Sequence, residues 1–250
     1  MKILILADLH ICSKYDIMNY TKLFSEVSEV NDADAIVICG DIIESAFSCN
    51  PYKQINNIFR NFTGPIICVL GNHEFFHNDV EEVINYYKYF YNPKKYNVHY
   101  LDIIGHYDYG VCRFVGNVLW YDGSMATVLG QNLYEFADKS WNDCTIKNFD
   151  WKKENEKCVS AIMGNILPDE KVNILCTHCV PHKDLNLHMN NTFSFYNAFS
   201  GMEDLLSDIN VDYCFCGHTH RRIVGKYIGK CQCVNVGSDI GYTRWFLIEV

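Results

Sequence analysis

Asp8 with His10, Asp41, Asn72 with His73, His178, and His218 with His220 are side chains that bind divalent cations. Each group stands just after an apolar, β-branched run, where a strand hands over to a loop. Gly40, Gly71, Thr177 and Gly217 directly precede four of the groups, and Ile3-Leu4-Ile5-Leu6-Ala7 runs into Asp8. Any one of these histidines, taken alone, reads as a surface or hydrogen-bonded core residue. Five such groups at five strand ends read as one site. Asp8 and His10 alternate by two, as do His218 and His220, so in an extended segment both members of a pair leave on one side. A carboxylate at a strand end, such as Asp41, can bridge two cations, and Gly40 lets the backbone approach closely. The Asn72 carbonyl is a hard ligand, and His73 offers either a ligand or a proton donor. Carboxylate, amide and imidazole donors without thiolate suit borderline ions such as Mn²⁺, Fe²⁺ or Zn²⁺, and Mn²⁺ is the ion expected first. Two such ions roughly 3.5–4 Å apart can clamp a phosphoryl group and generate a bridging hydroxide.

The elements that must carry these residues follow from hydrophobic pattern. Lys2–Ala7, Ala35–Cys39, Ile66–Leu70, Val172–Cys176 and Tyr213–Cys216 are short apolar runs typical of strands buried on both faces. Helices are expected over Asp16–Val30, where Ile17, Tyr20, Leu23, Phe24, Val27 and Val30 keep helical spacing, over Ile55–Phe62, and over Met202–Ile209. Another is expected over Asp79–Tyr91, which opens on acidic residues and ends at Asn92-Pro93. Val98–Ile104 and Val111–Val115 read as strands around a turn at His106–Gly110. Ile223–Tyr227 and Cys231–Val236 read as a hairpin, and Arg244–Val250 as a closing strand. Helices early and hairpins late suggest a layered α/β sandwich.

Residues 119–167 depart from this pattern. The stretch carries Trp120, Tyr121, Tyr134, Phe136, Trp141, Phe149 and Trp151, and its second part should be helical. It reads as an insertion or cap within one domain spanning 1–250, with its aromatics packing onto the body more readily than shaping a pocket. Asp184–Ser200 reads as a long loop, a possible rim over the site.

Lys+Arg 21 against Asp+Glu 30 leaves a net charge of −9. Bulk electrostatic binding of duplex nucleic acid needs a basic footprint and is not expected, although a short or single-stranded piece is not excluded. The basic group Arg221, Arg222, Lys226 and Lys230 reads as a solvated face. Thirteen cysteines, an odd number, do not read as a disulfide framework. Cys176-Thr177-His178-Cys179 is a C-x-x-C without a second pair, weak as a structural zinc site. The first apolar run is too short for a signal peptide, and no stretch approaches the ~20 apolar residues of a membrane span. The expected location is cytoplasmic. The oligomeric state is not legible.

The five blocks D-x-H, G-D, G-N-H-E, a later histidine and G-H-x-H, from Asp8 to His220, resemble the calcineurin-like metallophosphoesterase superfamily. The resemblance implies a four-layer α/β/β/α sandwich of two mixed sheets flanked by helices. It also implies that Asp8, His10 and His220 hold one ion, that Asn72, His178 and His218 hold the second, and that Asp41 bridges them. His73 would act as general acid while metal-bridging hydroxide attacks phosphorus, with Glu74 orienting it. The implied activity is hydrolysis of a small phosphodiester. The alternatives are a phosphomonoesterase or protein phosphatase, then a nuclease, and outside enzymology a catalytically silent interaction scaffold. Leu119-Trp120-Tyr121-Asp122 resembles a tryptophan-containing loop of small bacterial members. His182 can reach the phosphate or cap a turn, and Arg221 can touch substrate or face water.

Overall fold

Four of the five residues in Lys2–Leu6 are buried in succession, and every residue of Ala35–Cys39 and Ile66–Val69 is buried. Strands buried on both faces belong inside parallel sheets with covering layers. A computed structural model places them there. It describes residues 1–44, 49–125, 141–167, 171–186, 202, 206, 211–238 and 242–250.

The first sheet contains β1 (Lys2–Leu6), β2 (Ala35–Cys39), β3 (Ile66–Val69), β4 (Val98–Tyr100) and β11 (Phe246–Glu249), in the order β11-β1-β2-β3-β4. All its pairings are parallel except that of β11 with β1. The second contains β5 (His106–Tyr109), β6 (Cys112–Asn117), β7 (Val172–Thr177), β8 (Tyr213–Cys216), β9 (Ile223–Ile228) and β10 (Cys231–Asn235), in the order β5-β6-β7-β8-β10-β9. Its centre is parallel and both edge strands are antiparallel.

Alternation along the strands sorts the core into layers. Ile3, Ile5, Val37 and Val69 meet Phe114, Ile174, Phe215 and Val234 between the sheets. Leu4, Leu6, Ile36 and Ile38 face outward onto α1 (Lys14–Glu26), α2 (Ser28–Asp32), α3 (Pro51–Ile58) and α4 (Val80–Phe90), through Phe24, Val30, Ile55 and Val83. On the far side Val115, Leu175 and Cys214 pack with Met202, Leu206 and Ile162, the last from α6 (Trp151–Met163). The fold is the expected α/β/β/α sandwich of two mixed sheets.

Four of the differences in element boundaries have a clear local reason. The helix expected over Asp16–Val30 is split, because buried Val27 turns extended at φ −78°, ψ 114°. The helix expected from Ile55 begins at Pro51, where the Asn50 side chain accepts the Lys53 N–H and proline fits the first helical position. The strand expected over Val98–Ile104 stops at Tyr100, and α5 (Leu101–Ile104) turns Asp102 inward. Its carboxylate accepts Leu70 N–H at 2.8 Å and Val118 N–H at 2.9 Å, linking the ends of β3 and β6. The turn expected over His106–Gly110 is instead a strand up to Tyr109. There Asp108 lies opposite Arg113, with an ion pair of 2.8 Å across the hairpin.

Most of the helix expected over Met202–Ile209, most of the Asp184–Ser200 loop, and Tyr134 and Phe136 lie outside the described residues. All thirteen cysteines lie within them, and no disulfide joins any two. No helix among the described residues is long and apolar enough to cross a membrane.

Candidate metal centre

The carboxyl ends of β1, β2 and β3 in one sheet and of β7 and β8 in the other converge on one place. Asp8, Asp41, Asn72, His178 and His218 each stand within three residues of those ends. The backbone there is unusual. Asp8 (φ 55°), His10 (φ 47°), Asp41 (φ 49°), His218 (φ 67°) and His220 (φ 53°) all adopt the left-handed conformation. Such conformations cost non-glycine residues roughly 1–3 kcal/mol each and gather at functional sites. Asp8 and His10 therefore reach one cluster through two left-handed kinks, rather than through the extended segment that the spacing suggests. Backbone bonds from Asp8 N–H to Gly40 O (3.1 Å) and from His10 N–H to Asp41 O (2.9 Å) stitch the two loops together.

Candidate ligand atoms of Asp8, His10, Asp41 and His220 lie within 4.8 Å of one another. Asp8 Oδ1 accepts the His218 N–H at 2.9 Å, which leaves Oδ2 directed elsewhere. Glu44 takes the Nδ1–H of His10 at 2.6 Å, so Nε2 presents its lone pair. Asp8 Oδ2 and His10 Nε2 are both buried without a protein hydrogen-bond partner. Orphaned polar atoms in a dry site are costly, and a cation among them removes that cost.

Asp41, His178 and His218 form a second such cluster. His178 Nδ1 lies 3.0 Å from Cys39 O, and a carbonyl can only accept, so this ring nitrogen carries the proton and Nε2 faces the site. Around Nε2 stand Asn72 Oδ1 at 3.0 Å, His218 Nδ1 at 3.0 Å and Asp41 Oδ1 at 3.3 Å. Acceptors gathered about one imidazole nitrogen call for positive charge. Burial opposes a charge on His178, but Asp41 outweighs it and holds the imidazolium up to about 9. Asp41 itself is buried, yet His178 and then His73 keep it well below the usual carboxylate range. Its two oxygens divide between the clusters, Oδ1 toward His178 and Oδ2 toward His10 Nε2 at 3.9 Å. Donor types and orphaned atoms thus fit two divalent ions.

His73 stands beside both clusters, with Nε2 3.6 Å from Asp41 Oδ2 and Nδ1 2.9 Å from Glu44 Oε2. Burial opposes its charge, while Asp41 and Glu44 together raise it to about 9. Glu44 is a residue that sequence reasoning missed, since only its place three residues after Asp41 could have marked it. Glu74, expected to orient His73, is wholly buried and accepts backbone N–H groups: Ile42 at 2.7 Å, Ile43 at 2.9 Å and Gly71 at 2.8 Å. It clasps the two ligand loops.

Three other expected residues are not among the candidate ligands of either cluster. His182 is buried and its Nδ1 accepts the Asp184 N–H at 3.1 Å, capping the turn Lys183–Leu185. Arg221 is exposed. Trp120 is buried among Phe75 (5.2 Å between ring centroids) and Phe149 (4.6 Å), as core. A cleft of about 260 Å³ opens over the clusters, lined by Asp41, Asn72, His73, His218 and His220 and walled by Phe76, Trp141, Asn142 and Asp143.

A two-sheet sandwich with two carboxylate–imidazole clusters at its strand ends defines the metallophosphoesterase class. The sequence profile of the family described as Calcineurin-like phosphoesterase matches residues 1–222, and the chain belongs to that family. Among curated sequences none matches. Several solved structures share the fold. Phosphopantetheinyl hydrolase from Mycobacterium tuberculosis is similar at a TM-score of 0.70 and 14% identity, covering 94% of this chain and 88% of that one. A dimetal phosphatase from Danio rerio is similar at 0.54 and 12%, over 99% and 91%. An anchor in the inner membrane complex of Plasmodium is similar at 0.51 and 14%, over 95% and 71%. These identities speak for the fold alone, and a fold by itself does not fix an activity.

Proposed function

We propose that this chain is a phosphoesterase that uses two divalent cations to hydrolyse a small phosphodiester. The observation that carries the reading is the division of Asp41 between two ligand clusters, one of which keeps buried, orphaned Asp8 Oδ2 and His10 Nε2. In this reading Asp8, His10 and His220 hold one ion, Asn72, His178 and His218 hold the other, and Asp41 serves both. Mn²⁺ is the first candidate, ahead of Fe²⁺ or Zn²⁺. When bound, such a pair polarises phosphoryl oxygens and supplies an activated water.

The remaining work falls to the chain. Glu44 fixes the His73 ring through Nδ1, so the proton available to a departing oxygen is the one on Nε2. Without bound ions Asp41 and Glu44 raise His73 to about 9, which favours the protonated state a general acid requires. Phe76 and Trp141 give the cleft an apolar wall beside His73, and the rings of His73 and Phe76 lie 4.4 Å apart. Such a wall suits a phosphorus that bears organic groups on two sides. The cytoplasm is the compartment we assign, since an odd count of thirteen cysteines suits a reducing environment.

The test is hydrolysis of bis(p-nitrophenyl) phosphate against p-nitrophenyl phosphate by protein stripped of metal and reloaded with Mn²⁺. Preference for the diester is expected. His73→Ala should lower turnover roughly 10²–10⁴-fold while both ions remain, and Asp41→Ala should lose both ions. Preference for the monoester would replace the diesterase reading with a phosphatase. Two bound ions with neither ester cleaved would favour an interaction scaffold.

A further inference from the structure

Asn72 is an ambiguous ligand until something chooses its orientation. Its amide carries an oxygen and a nitrogen on nearly identical frames, and a half-turn about the last side-chain bond exchanges them. Only the oxygen can ligate a cation. In the structure the choice is made by a carboxylate 71 residues along the chain: Asn72 Nδ2 donates to Asp143 Oδ1 at 2.8 Å. Asn72 Oδ1 thereby faces His178 Nε2 at 3.0 Å, inside the second cluster. Reversing the amide would set two acceptor oxygens, those of Asn72 and Asp143, against each other and turn the ligating oxygen away from the second cluster. Asn72 is 4% exposed and Asp143 2%, so bulk water does not relieve the clash.

Asp143 is held from its own side as well. It lies on the short turn Asn142–Thr145, closed by Cys144 N–H to Trp141 O at 3.1 Å and Ile146 N–H to Asp143 O at 3.0 Å. Four residues later Lys147 N–H donates to Asn78 O at 2.9 Å, and Lys147 bridges Asp79. The segment is thus fastened to the chain just beyond His73. Both partners of the Asn72–Asp143 bond are fixed before any ligand arrives.

We infer that Asp143 is a positioning residue that locks the Asn72 amide with its oxygen toward the second ion, an inference that rests on that cluster being an ion site. The aromatic segment then supplies part of the ion-binding apparatus and not only a wall.

The experiment measures Mn²⁺ per chain at fixed free Mn²⁺, with electron paramagnetic resonance to distinguish a spin-coupled pair from an isolated ion. Four variants are compared with the wild type: Asp143→Ala, Asp143→Asn, Asn72→Asp, and the double variant Asn72→Asp/Asp143→Asn. Asp143→Ala should weaken the second ion about 10–100-fold, the range for residues that orient ligands, and give the isolated-ion spectrum. Asp143→Asn keeps an acceptor and should retain the coupled pair. Asn72→Asp sets carboxylate against carboxylate and should lose the second ion. In the double variant donor and acceptor trade places, and the coupled pair should return. Wild-type affinity for both ions in Asp143→Ala would overturn the inference alone. If Asp143→Ala fails to fold, absence of recovery in the double variant overturns it instead. A wild type that binds fewer than two ions would overturn the proposed function and this inference together.

Discussion

Glu44 and His73 meet at 2.9 Å, Oε2 to Nδ1, and the other oxygen of the same carboxylate lies 2.6 Å from His10 Nδ1. Burial works against the charge of Glu44, but its bonds to His10 and His73 hold it down at about 2. One carboxylate thus sets the tautomer of an expected ion ligand and of the expected proton donor. Glu44→Gln leaves one acceptor for two donors. Turnover and ion affinity should fall together, each about 10–100-fold, with turnover read on the diester and affinity by Mn²⁺ titration. A loss of turnover alone would show that the bond to His10 is dispensable.

Gly71 packs against Asp41 with no room for a side chain. A Cβ there would lie 2.1 Å from Asp41 Oδ1 and 2.2 Å from the Asp41 backbone nitrogen. Gly71→Ala must push the shared carboxylate aside, at a cost of about 1–3 kcal/mol for an overpacked site. Metal analysis should find both ions weakened, since Asp41 serves both clusters. Full occupancy at wild-type affinity would contradict its dual role.

Trp120 separates stability from recognition. It is 1% exposed and ringed by Phe75, Tyr121 and Phe149. Trp120→Ala should cost about 3–5 kcal/mol in chemical denaturation, as removal of a large core ring does. KM, measured under conditions where the variant remains folded, should hold near wild type. A selective rise in KM would restore Trp120 as a substrate contact.

His99 makes stability depend on acidity away from the ion clusters. Burial alone lowers it to about 4. Its ring stacks on Tyr107 with 4.1 Å between centroids, and Nε2 lies 3.2 Å from Asn97 Oδ1. In the unfolded chain the imidazole takes a proton below about pH 6.5, whereas the folded protein refuses it until about pH 4. The unfolded state therefore binds more protons in that window, and stability falls as pH drops from 6.5 to 4. The full effect is on the order of 3 kcal/mol. Denaturation midpoints of His99→Phe should lose that share of the acid sensitivity. Identical pH profiles for variant and wild type would refute it.

The five strand runs were legible because burial on both faces leaves an uninterrupted apolar run, and the chemistry-bearing residues follow those runs directly. Bonds between residues distant in sequence were not legible. Glu44 reaches two imidazoles and Asp143 reaches Asn72 without any period or motif to announce it. Backbone conformation was hidden as well, since the D-x-H and H-x-H spacings fit an extended segment as well as the left-handed kinks that occur. Glu74 was placed near the site from its motif, but only coordinates show that it grips Ile42, Ile43 and Gly71. The start of α3 was within reach, because Asn50-Pro51 is a helix-opening pair.

The left-handed torsions at Asp8, His10, Asp41, His218 and His220 also bear on descent. A strained position keeps an aspartate or histidine only while that side chain is useful, because glycine or asparagine sits there more easily. A lineage that ceased to bind ions would drift first at these five codons, and toward those two residues. Glycine or asparagine at several of the five positions would then be a fossil of a lost ion site, readable in a relative's genome before any protein is made.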